Sequence, residues 1–125
     1  MARILVISVE DVTIRAELFD TETADALYEA APFSSEAQSW GEEIYFDIPL
    51  ALDQESEARE EVTIGDLGYW PMGAALCIFF GPTPVSQGTA PRAYSPVNVF
   101  GRVMGDAKAF RTVSEGARIR VELGS

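Results

Sequence analysis

The stretch that most constrains this chain is Ala74 to Phe80, seven consecutive apolar residues closed off by Gly73 before it and by Gly81, Pro82 and Pro84 after it. Glycine and proline at the ends argue against a buried helix, and the run is too short to cross a bilayer, so it reads as a strand. A strand with one wet side alternates apolar and polar residues. This one offers water neither face, so both must be covered. If its sheet curls into a barrel, only one face points inward. With Leu76 and Phe80 assigned to the core, the face carrying Ala75, Cys77 and Phe79 must lie under loops, under a helix, or on the floor of a surface groove.

At 125 residues and 47% hydrophobic composition the chain can bury a core, and one domain over residues 1–125 is expected. Nine Lys and Arg against twenty Asp and Glu leave a formal net charge of -11. That field repels phosphate backbones and anionic membrane surfaces, so neither nucleic acid nor membrane is an expected partner. Solubility accounts for the acidity, with cation binding as the alternative. The single cysteine, Cys77, excludes an internal disulfide and sits in the most apolar strand, which predicts a buried, unreactive thiol. Arg3 and a short apolar run before Glu10 and Asp11 do not make a signal peptide, and a cytoplasmic protein is expected. No histidine occurs, which removes the commonest general base and zinc ligand; no metal and no cofactor is implied.

Ile4 to Val9 is nearly continuous apolar sequence, and Val12 to Leu18 alternates apolar and polar residues, which predicts two strands across a short Glu10-Asp11 link. Thr21 and Thr23 precede good helix formers up to Pro32, which predicts a helix near Thr21 to Ala30. Ile44 to Ile48 reads as a strand whose wet side carries Glu43, Tyr45 and Asp47. Asp53 to Glu61 is acidic, almost without apolar anchors, and reads as a solvated loop rather than a metal site. Ser86 to Tyr94 reads as loop, Val97 to Phe100 as strand, Gly105 to Thr112 as room for a short helix, and the alternation after Gly116 as a last strand. Short strands with one good helix suggest a closed antiparallel barrel.

The order of these segments resembles the cyclophilin fold. Ile14-Arg15-Ala16-Glu17-Leu18-Phe19-Asp20 leading into Thr23-Ala24 is similar to the second strand and first helix of cyclophilins, and Val99-Phe100-Gly101-Arg102-Val103 to their late Val-Phe-Gly-Lys-Val strand. More specifically, Trp40-Gly41-Glu42-Glu43-Ile44-Tyr45-Phe46, Gly65-Asp66-Leu67-Gly68-Tyr69-Trp70-Pro71 and Phe79-Phe80-Gly81-Pro82-Thr83-Pro84 resemble a family of small prokaryotic cyclophilin-like proteins of unestablished function. The resemblance implies a mainly β fold, a closed antiparallel eight-stranded barrel with one or two short helices. It does not carry over prolyl isomerase chemistry. Aligning Ile48-Pro49 with the Ile-Pro that ends the cyclophilin Phe-His-Arg strand puts Phe46 where the arginine would be, and the late histidine falls on Val97. The charge that would favour a twisted amide is then missing, with Arg92 or Arg102 as formal substitutes.

Trp40, Tyr69, Trp70 and Phe79 are candidate walls of a surface groove, with Glu42 and Asn98 as its polar anchors. As core filler the rings need no function, and Glu42 or Asn98 could equally cap loop backbone groups. Glu42 and Glu43 are adjacent, so a strand points them to opposite faces and they cannot work as an acid and base pair. The expected ligand is a small molecule or peptide, uncharged or cationic, one bearing an amine being well suited to a carboxylate among aromatic rings. Prolyl isomerisation and a purely oligomeric role for the aromatic surface are the alternatives, and the oligomeric state is open.

Overall fold

A computed structural model describes residues 3–124. Strand β1 (Ile4–Val9) and β2 (Val12–Leu18) form a hairpin in which Val9 faces Val12, with Glu10 in the left-handed region at φ 51°. Helix α1 (Glu22–Ala30) follows, as the sequence predicts. Thr21 caps it by accepting the Ala24 N–H at 3.0 Å, and Ala24 and Leu27 turn into the core. Then come β3 (Phe33–Glu36), β4 (Gln38–Ser39), β5 (Glu43–Asp47), β6 (Arg59–Glu61), β7 (Asp66–Trp70), β8 (Ala75–Phe79), the long β9 (Arg92–Met104), a 3-10 helix (Ala107–Thr112) and β10 (Arg118–Leu123).

These strands make one antiparallel sheet in the order β3-β10-β1-β2-β9-β7-β8-β5-β4, with β6 paired to β9 off that path. Among the described residues the sheet has ten strands and is not closed by hydrogen bonds, which corrects the expected closed eight-stranded barrel. The reason lies at Ala37. Strands β3 and β4 occupy the two ends of the order yet are consecutive pieces of one extended segment. The first pairs with β10 and the second with β5; at the break, Ala37 N donates to Ala117 O at 2.8 Å and Gly116 N donates to Ala37 O at 2.7 Å. The segment passes from one edge to the other through its covalent backbone, without a ladder between β10 and β5.

Every residue of β8 is buried, so the double-faced apolar strand is real. One face, Leu76 and Ile78, joins Ile44, Phe46, Leu67, Tyr69 and Phe100 in the main core. The other is covered chiefly by strand. Beyond its pairing with β7, β9 continues with β6 alongside and lays Ala93 and Val97, together with Val62, against Cys77 and Phe79 in a second apolar cluster. Gly68 permits this crossing: a Cβ there would stand 2.9 Å from a Val97 methyl.

Candidate functional site

The cover stops short of the end of β5 and leaves a pocket of about 170 Å³. Glu43, Tyr45 and Cys77 form its floor, Trp40, Trp70 and Tyr94 its rim, and Ala93 and Val97 the side towards the second cluster. In antiparallel pairing, directly opposed residues share a face, and the register sets Glu43 opposite Phe79 and Tyr45 opposite Cys77. The strand face that the sequence suggests is wet is therefore continuous with the covered face of β8, and only Asp47, at its far end, is exposed.

The rim is fixed by its own contacts. Trp40 lies in the turn between β4 and β5, where its N–H donates to Glu43 O at 2.9 Å and Gly41 takes φ 60° against the Thr83 backbone. Trp70, at the end of β7, donates its indole N–H to Ser95 Oγ at 2.5 Å, and its ring lies over Gly73, where a Cβ would collide with it. Tyr94 stands between the two indoles, edge to face with each, at 6.0 Å and 75° from Trp40 and at 6.0 Å and 82° from Trp70.

Glu43 is the unusual group here. It is 5% exposed, and among the described residues its Oε1 has no hydrogen-bond partner and its carboxylate no ion pair. Loss of water pushes its pKa up from 4.5 to about 7, opposed in smaller measure by the Cys77 thiol, which donates to the carboxylate. The thiol itself is driven well above its ordinary range by burial and by the neighbouring carboxylate. No group of three His, Cys, Asp or Glu among the described residues is arranged to hold a metal ion.

Of the residues singled out in the sequence, Trp40 and Trp70 line this pocket, and the other four lie elsewhere. Tyr69 is fully buried in the main core, its hydroxyl donating to Leu50 O and accepting from Leu52 N, both at 3.0 Å. Phe79 is fully buried beneath Ala93 and Val97. Asn98 uses its amide as a clamp: Nδ2 donates to Asp53 O at 2.9 Å and Thr23 Oγ1 at 3.1 Å, and Oδ1 accepts the Glu55 N–H at 2.8 Å. Glu42, one residue before β5, pairs with Arg111 and borders a separate depression near Lys108 and Pro91. Glu43, Tyr45, Cys77, Ala93, Tyr94 and Val97 line the pocket without having been singled out as site residues in the sequence. The signal for Glu43 was present: it stands one residue before Ile44 and shares the face of Tyr45, which had only to be matched to the covered face of Cys77. Tyr94 lies in a proline-rich stretch with no strand pattern of its own.

A family model for cyclophilin-like proteins matches residues 3–122. Among solved structures, the chain is similar to the solution structure of the hypothetical protein AF2241 from Archaeoglobus fulgidus, at 36% identity and a TM-score of 0.82, over 97% of this chain and 94% of that one. No curated protein matches the chain.

Proposed function

The chain belongs to the cyclophilin-like family, and on that premise we propose that it is a binding protein for a small molecule or a peptide side chain, without prolyl isomerase activity. The observation that carries this reading is the pocket itself, a concave site with three aromatic rings at its mouth and a buried carboxylate oxygen left without a partner. Against isomerisation stands the placement of the arginines. Phe46 is buried in the core, Arg92 pairs with Glu60 at 2.7 Å, Arg102 is exposed on β9, and among the described residues no arginine lines the pocket. A donor aimed at an amide carbonyl is what such catalysis requires. The rim supports the peptide variant of the reading, since Met72 and Tyr94 extend exposed apolar surface beyond the pocket, at 75% and 65% exposure.

A ligand-observed screen of metabolites and proline-containing peptides against wild type and Trp70→Ala tests the site. Hits should weaken in the variant, and hits that bind both proteins equally would put the functional site elsewhere. A protease-coupled assay on a Xaa-Pro peptide tests the chemistry. Turnover that is abolished by Arg92→Ala or Arg102→Ala would return the isomerase reading to first place. Light scattering addresses the oligomeric reading: a dimer dispersed by Trp70→Ala would make the aromatic rim a subunit contact.

A further inference from the structure

We infer that the pocket takes the head of a small alkylammonium cation carrying at least one N–H, with Glu43 as counter-ion and Trp40, Tyr94 and Trp70 as walls. This rests on the reading of the pocket as a ligand site and specifies the class of its ligand. The first support is the orphaned oxygen. A buried acceptor with no donor is costly, and Glu43 Oε1 is such an acceptor on the floor of an open pocket, so a donor must come from what binds there. Among the described residues no Lys or Arg lines the pocket or pairs with Glu43, so the positive charge must also come from the ligand.

The second support is the rim. Ring faces attract cations, and Tyr94 meets both indoles edge to face, so the three lining rings lie in more than one plane around a head group. The Trp70 indole N–H is already given to Ser95, so this wall offers the ligand a π surface and no donor from its ring nitrogen. The pocket's 170 Å³ is smaller than the roughly 300–1,000 Å³ of drug-sized sites, which suits a compact head with its tail outside. The net charge of -11 gathers cations around the protein and repels anions. The alternatives fare worse: a purely apolar head leaves Oε1 unpaired, an anion meets a carboxylate, and a fully quaternary head supplies charge but no hydrogen bond.

The chain's two tryptophans both line the pocket, so intrinsic emission reports on this site. Three probes of nearly one shape separate the possibilities: N,N-dimethylethanolammonium, which has the N–H; choline, which has charge alone; and 3,3-dimethyl-1-butanol, which is neutral. Near pH 8, where Glu43 is ionised, the N–H cation should bind roughly tenfold or more tightly than the alcohol, with choline between them. The other ionisable groups of the pocket are Tyr45 on the same strand, Tyr94 on β9 and Cys77 on β8, the last held as a thiol. The preference should collapse in Glu43→Gln while the response to the alcohol remains, and should fade in wild type near pH 5, a control that needs no mutation. Tyr94→Leu, at a mostly exposed position, should weaken both cations more than the alcohol. An alcohol that binds wild type as tightly as the N–H cation overturns the ligand class and leaves the pocket as a binding site. Emission that responds to none of the three overturns both. A cation preference retained in Glu43→Gln refutes the counter-ion.

Discussion

Replacing Glu43 by Gln should change how the stability of the fold depends on pH. The carboxyl titrates at 4.5 when unperturbed and at about 7 in the folded protein, because burial disfavours its charged form. Between those values the native state keeps a proton that the unfolded chain has released, so raising the pH draws the equilibrium towards unfolding. The stability lost on this account accumulates from about pH 4.5 to about pH 7 and is constant above. The interval corresponds to about 3 kcal/mol. Glutamine cannot ionise, so the variant should escape this loss. Urea denaturation of both proteins across the range supplies the test, and the wild type serves as control for every other carboxylate. The stability of Glu43→Gln minus that of wild type should rise by about 3 kcal/mol between acid and pH 8, and with a urea slope of about 1–3 kcal/mol per M the midpoints should separate by about 1 M or more. The absolute difference at acid pH is not the readout, because the amide's extra N–H groups add a cost of their own. Curves that stay parallel from pH 4.5 to 8 would refute the argument that Glu43 is desolvated.

Gly101→Ala should destabilise the fold by about 2 kcal/mol or more in the same denaturation experiment, because its Cβ would stand 2.6 Å from the Glu17 carbonyl oxygen, a backbone atom that cannot swing away. Ala74, between β7 and β8, holds φ 50°, so Ala74→Val should cost about 1–2 kcal/mol whereas Ala74→Gly should stay within about 0.5 kcal/mol of wild type; equal effects would dismiss the strain. The Cys77 thiol, 2% exposed and held protonated, should resist iodoacetamide in the native protein and react fully in urea, and rapid native labelling would show that the pocket floor opens.

Much of the fold is legible because its signals are local. Alternation marks β2, the apolar runs mark β1 and β8, and Thr21 with Pro32 brackets α1. The strands that escape reading have no pattern of their own. Gln38–Ser39 and Arg59–Glu61 are strands only because β5 and β9 pair with them, and such pairing is tertiary information. The first residues of β9 carry Pro96 and pack beyond the reach of β7, which is why they read as loop. The missing closure has the same origin, since nothing in residues 33–39 says that one extended segment serves both edges of the sheet.

The site was half legible for a related reason. Both tryptophans could be placed near the covered face of β8, but choosing between Glu42 and Glu43 needed the register, and a single residue moves a side chain to the other face of the sheet. That choice carries the functional argument furthest. If the end of the outer face needed only to be filled, an apolar side chain beside Tyr45 and Cys77 would fill it without loss at any pH. A glutamate there costs the protein about 3 kcal/mol at neutral pH, a large share of the stability typical of small domains. Arg111 is paired with Glu42 at the other depression, and no cation among the described residues relieves Glu43. A local rule broken at the bottom of an open aromatic pocket, offset among the described residues only in small measure by the Cys77 thiol, is what the proposed ligand would compensate.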